Sequence, residues 1–118
     1  MQIEILITEA EKKTLDSLID LMISFGLEHL LFRTNDLSFL NKNEYIIQGT
    51  FTNNQILEWY PDGCGYVKFK FTKLGLSLIK AHRPEVFEKL KPFFPFRSIS
   101  EHSLPKINYK IIKEETTA

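Results

Sequence analysis

The sequence has few staples and few groups suited to chemistry. One cysteine, Cys64, in 118 residues excludes an intramolecular disulfide framework and makes a reducing cytoplasm the default setting. Glycine is sparse, at five. Two of the five, Gly63 and Gly65, flank Cys64 in a turn rather than joining a strand to a helix N-terminus, so no phosphate-cradling loop is present. The three histidines, His29, His82 and His102, match no metal-ligand spacing with each other or with Cys64. Neither a metal nor another cofactor is expected. No positively charged start leads into an apolar run, so no signal peptide is expected. The longest apolar-rich segment, residues 15–32, is broken by Asp16, Asp20 and Glu28 and is unsuited to crossing a bilayer. Net charge is also lacking, at zero.

What is present is an ordinary globular composition, 43% hydrophobic and 25% charged, with ten phenylalanines pointing to an aromatic core or an aromatic binding surface. The length fits one domain over residues 1–113 with a frayed tail at 114–118. The charge is uneven. Residues 1–59 carry four basic and nine acidic side chains; residues 60–118 carry eleven and six. Such asymmetry points to nucleic-acid contact or head-to-tail self-association, and it is also what two halves folding together with interleaved charges would show.

In chain order, residues 2–7 alternate with Ile3, Ile5 and Ile7 on one side and read as a strand. Thr8 and Glu11 then form a capping box. The helix that follows carries Leu15, Leu18, Ile19 and Met22 on one stripe, and Gly26 ends it or joins it to a continuation through Leu31. Residues 33–43 read as connecting structure, in which Asp36 can cap a short turn. Residues 44–52 alternate Tyr45, Ile47 and Phe51 against Ile46, Gln48 and Thr50, the pattern of a strand. Residues 52–55 read as a tight turn. Beyond residue 92, Phe93-Phe94-Pro95-Phe96 forms an aromatic knot, and residues 106–113 read as a last strand.

The clearest stretch is ILEWYPDGCGYVKFKFTKLGLSLI, residues 56–79. Pro61-Asp62-Gly63 is turn chemistry, and Gly63 or Gly65 suits a left-handed position in a bulged hairpin loop. In the returning strand Val67, Phe69 and Phe71 face one way, and Tyr66, Lys68, Lys70 and Thr72 the other. Leu57 and Trp59 pair with the apolar face. Thr72 caps a helix bearing Leu74, Leu78 and Ile79; Pro84 opens another, with Val86, Phe87 and Leu90 inward. The architecture expected is α+β: a mainly antiparallel sheet around this hairpin, with helices near 9–31 and 73–91 on one face.

This stretch resembles the wing-to-C-terminal-helix segment of winged-helix transcription regulators, in which a hairpin wing is followed by Thr-x-x-Gly and an apolar helix. Here that is Thr72-Lys73-Leu74-Gly75 and residues 76–79. The likeness covers about a quarter of the chain. It implies a winged-helix-like C-terminal half and a role in DNA binding and transcription regulation. Such domains also place a recognition helix before the wing, where residues 44–52 here read as a strand.

Two classes of function follow, neither enzymatic. In the first, the hairpin at 60–73 lies along a nucleic acid, with Lys68, Lys70 and Lys73 on phosphates and Tyr60 or Tyr66 on a base or sugar. In the second, a small protein-binding module of inhibitor, immunity or adaptor type docks through its acidic first helix, the knot of Phe93, Phe94 and Phe96, or the last strand. The partners open to the chain are thus a nucleic acid, a protein or a second copy in a homodimer, and not a membrane. A cysteine nucleophile would need Cys64 beside a histidine, with His82 the best placed; an inert turn thiol is much the commoner case.

Overall fold

The computed structural model describes residues 2–61 and 65–113. The tail at 114–118 lies outside them, as do Asp62, Gly63 and Cys64 in the hairpin loop. A mixed α+β fold results, with four α-helices packed against small sheets.

The first strand and helix form as the spacing predicts. β1 spans Ile3–Thr8 and α1 spans Glu9–Phe25. The Thr8 hydroxyl accepts from the Glu11 amide at 3.2 Å, and Glu11 Oε1 accepts from the Thr8 amide at 2.8 Å. The other Glu11 oxygen accepts from the Thr50 hydroxyl. Leu15, Leu18, Ile19 and Met22 are buried. Gly26, at φ 132°, ends the helix with its amide on the Met22 carbonyl.

Three expectations need correction. The helix does not run on through Leu31. A 3₁₀ turn, Leu27–His29, stops at Leu30 in the left-handed region (φ 55°), and a short strand β2, Leu31–Thr34, follows. Four residues are too few to display an alternation, although Phe32 and Thr34 are buried and Arg33 is exposed.

The second correction concerns residues 44–52, which are helical and not a strand. Asp36 Oδ1 accepts from the Phe39 amide at 3.0 Å and starts α2, Leu37–Ile46. A π-helical stretch, Ile47–Thr52, continues it, and the Asn53 amide reaches back to the Gln48 carbonyl. β-branched Ile46, Ile47 and Thr50 and the glycine at 49 lower helix propensity and imitate a strand. Burial decides otherwise: Ile47 and Phe51, four apart, turn to the core together. The turn expected at 52–55 is present, with Gln55 as its left-handed residue (φ 60°).

Third, among the described residues the strands form two sheets and not one. β5, Ile107–Ile112, lies parallel to β1 with Ile3 opposite Ile107. The other sheet is antiparallel, in the order β2-β4-β3, with β3 Leu57–Pro61 and β4 Val67–Phe71. Its hairpin pairs as expected: Leu57 opposite Phe71 and Trp59 opposite Phe69. Phe32 opposes Phe69 from the other side. The three rings make a row, with centroids 4.9 Å apart for Phe32–Phe69 and 6.1 Å for Trp59–Phe69. Leu40 and Ile47 of the α2 segment, with Trp59 and Phe69, line a small cavity on this apolar face. Gly65 has φ 82° where the loop re-enters β4.

α3, Lys73–His82, and α4, Pro84–Leu90, complete the fold. The Thr-x-x-Gly corner has a physical basis. The Thr72 hydroxyl accepts from the Gly75 amide at 3.0 Å and donates toward the carbonyls of Gln55 and Ile56. The Thr72 amide also donates to the Ile56 carbonyl, at 3.1 Å. A Cβ at position 75 would collide with that Ile56 carbonyl oxygen. In an open helix Gly→Ala stabilises by roughly 0.5–1 kcal/mol. Here Gly75→Ala is expected to reverse the sign and destabilise by about 1–3 kcal/mol, read by urea unfolding.

Candidate functional site

The aromatic row determines what the other face of the sheet presents. Because side chains alternate, each core ring is followed on its strand by a side chain on the opposite face. Arg33, Lys68 and Tyr60 are paired across β2, β4 and β3, forming a second row behind the first. Leu31, Lys70 and Glu58 form the next. Tyr66, just before β4, shares this face.

Cations and rings are in contact there. The Arg33 guanidinium lies 5.2 Å from the Tyr66 ring centre, and the Lys68 ammonium 5.8 Å from that of Tyr60. Both rings remain accessible, Tyr60 at 39% and Tyr66 at 37%. The Tyr60 hydroxyl donates to Glu58 at 3.1 Å. Partial burial, then that hydrogen bond and the carboxylate's charge, hold the Tyr60 phenol above its ordinary pKa.

A groove of about 470 Å³ opens beside these rows. Lys68, Lys70, Lys73 and Arg97 line it, with His29 and the single carboxylate Glu58. Its rim is built from two short turns, each ending in a left-handed residue, Leu30 and Ser98 (both φ 55°). A second groove of about 540 Å³ adjoins it, sharing Glu58, Tyr60, Thr72 and Lys73 and adding Thr52, Gln55 and Leu57.

Seven of the eleven basic residues of the second half fall into two groups; Lys89, Lys106, Lys110 and Lys113 belong to neither, lying outside this groove and making no ion pair among the described residues. Arg83 bonds Asp20 at 2.8 Å and Glu85 at 3.2 Å, and the Asp20 bond chiefly raises its pKa. Lys80 meets Glu101 at 3.3 Å, and Lys91 meets Glu88 at 3.1 Å and Glu101 at 3.4 Å. Hydrogen bonding from Lys80, with help from Lys91, holds the Glu101 carboxyl below its ordinary range. Among the described residues, Lys68, Lys70, Lys73 and Arg97 make no such ion pair. The charge contrast between the halves is therefore partly interleaved, through Asp20 and Arg83, and partly gathered at one groove.

All five residues assigned to nucleic acid from the sequence lie on or beside this face. Tyr60, Lys68, Lys70 and Lys73 line the groove, and Tyr66 lies beyond it next to Arg33. Sequence reasoning missed Arg33, Arg97 and His29, which arrive from distant elements. The aromatic knot is divided. Phe94 is core at 3% exposure and packs edge-on against Phe87 at 5.6 Å, Phe93 is half-buried, and Phe96 is 83% exposed.

His82, the base that a Cys64 nucleophile would require, has both ring nitrogens engaged. Nε2 lies 2.7 Å from Asp16 Oδ1, and Nδ1 lies 2.9 Å from the Tyr109 hydroxyl. The neutral tautomer that satisfies all three groups has its proton on Nε2, leaving Nδ1 to accept from Tyr109. This chain ties α1, α3 and β5 together. Among the described residues no cluster of His, Cys, Asp or Glu is arranged to hold a metal ion, and no helix is long and apolar enough to cross a membrane.

The chain matches no protein-family model, no curated protein and no solved structure.

Burial pushes the Tyr109 hydroxyl up to about 12, with the nearby charges of Asp16 and Glu9 adding to it. A raised pKa stabilises the fold below the ordinary value of 10.0, and the gain is lost as pH rises toward about 12. Stability is therefore expected to fall across that window. Tyr109→Phe should lower stability at neutral pH by roughly 1 kcal/mol through the lost hydrogen bond, and flatten the alkaline fall in urea unfolding.

Proposed function

We propose that the protein is a non-enzymatic, nucleic-acid-associated regulator of the cytoplasm that binds through the lysine face of the β2-β4-β3 sheet. One observation carries this reading. Among the described residues, Lys68, Lys70, Lys73 and Arg97 converge on a single groove and make no ion pair, while Lys80, Arg83 and Lys91 are engaged in ion pairs. Unpaired ammonium and guanidinium groups on one face attract a phosphate backbone through release of its counterions. Among the described lining residues Glu58 is the one carboxylate against four cations; it accepts from Tyr60 and keeps its negative charge.

The winged-helix likeness gives this reading further support. The likeness is confined to the hairpin and the corner after it: the α2 segment precedes the hairpin in the chain but packs on the sheet face opposite the lysines. Thr72 and Gly75 form the corner that follows the hairpin, the position the Thr-x-x-Gly pattern calls for. The protein-docking alternative has less to stand on at the aromatic knot. Phe94 belongs to the core, and Phe96 is a single exposed aromatic rather than a contiguous patch.

Binding of labelled mixed-sequence DNA and RNA at low salt, followed by anisotropy, tests the proposal. Affinity should fall steeply with added salt. Lys68→Glu/Lys70→Glu should weaken binding by at least about tenfold and lower the salt slope by about one for each phosphate no longer neutralised. Absence of binding to any nucleic acid at low salt would remove the reading.

A further inference from the structure

We infer that the site takes an extended, unpaired strand of nucleic acid, running from the basic groove across Tyr60 into the adjoining groove at Thr52. This deepens the nucleic-acid reading and rests on it. Three features carry it beyond charge.

The first is the pairing of rings with cations. Tyr60 and Tyr66 lie on an open sheet face, each with a cation over one face of its ring and more than a third of its surface accessible. Bases in a duplex are stacked on each other and offer only their edges. Unpaired bases offer faces, which tyrosine rings and guanidinium planes can stack against.

The second is the shape of the site. The two grooves hold about 470 and 540 Å³ and meet along Glu58, Tyr60, Thr72 and Lys73. Each is the size of a small-molecule pocket and suited to single bases or sugar-phosphate units. Joined at Tyr60, they make a track for a thin polymer. Thr52, Gln55 and Leu57 extend the second groove past Tyr60. Glu58 fits the same picture. A carboxylate repels phosphate but accepts from a base amino group, and unpaired bases leave such groups free.

The third is the placement of α2. It packs toward the apolar face of the sheet, against Trp59 and Phe69, whereas Lys68, Lys70 and Tyr60 are on the opposite face. The helix and the lysine rows thus face away from each other, and the rows form a platform of their own.

Anisotropy with a DNA strand of about 15 nucleotides, the duplex of the same sequence, and inorganic polyphosphate as competitor tests the inference. The single strand should bind at least about tenfold tighter than the duplex. Tyr60→Ala should weaken strand binding by about tenfold while polyphosphate binding stays within about twofold, which also shows that the variant folds. Tyr60→Phe, which keeps the ring and loses the bond to Glu58, should restore strand binding. A duplex bound as tightly as the strand, no effect of Tyr60→Ala, or an equal loss of strand and polyphosphate overturns the inference while leaving the broader reading intact. Failure of strand and duplex to bind at low salt, with the RNA strand of the same sequence also unbound, overturns both.

Discussion

The stacked row Phe32–Phe69–Trp59 is the interaction on which the rest of the molecule depends. Aromatic pairs of this kind contribute about 0.5–1.5 kcal/mol each beyond the area they bury. Their larger effect is on register. In a sheet with a period of two, a slip of one residue turns every side chain to the other face. Slipping β4 by one would bring Lys68 or Lys70 into the apolar layer and expose Phe69, and the cost of burying an unpaired ammonium forbids it. The core therefore fixes the surface. Arg33, Lys68 and Tyr60 stand in line on the outside because three rings stand in line on the inside.

A second constraint acts at the end of the hairpin. The backbone of Ile56, entering β3, passes so close to the first turn of α3 that only glycine fits at position 75. Thr72 serves the same junction twice, capping α3 and bonding the chain that leads into β3. The corner that suggested a family resemblance is thus explained by local packing. It places Lys73 at the first helical position, between the two grooves.

Features with short-range causes were legible in the sequence. The capping box at Thr8, the cap at Thr72 and the alternation of β4 each depend on residues within a few positions of one another. Features with long-range causes were not. Nothing near Ile107 reveals that β5 will lie parallel to β1. The strand reading of residues 44–52 followed true local preferences, because two isoleucines, a threonine and a glycine do disfavour helix; burial of Ile47 and Phe51 on one side outweighed them. The same holds for the site. The lysines and tyrosines of one hairpin could be grouped from their spacing. Arg33, His29 and Arg97 could not, since a short strand and two 3₁₀ turns bring them there.

The parallel pairing of β1 with β5 has a consequence for how the molecule is made. β1 leaves the ribosome well before β5, with both helical layers and the other sheet encoded between them, and in the described structure each is the other's strand partner. Pairing across such a separation carries a large loop-closure cost and slows folding. During synthesis the helices and the three-stranded sheet can gather while Ile3, Ile5 and Ile7 wait with an open edge. A nascent chain held in that state presents a β-branched strand able to pair with a neighbouring copy. The time between the emergence of Thr8 and of Ile112 is thus the interval in which this protein is most exposed to misassembly.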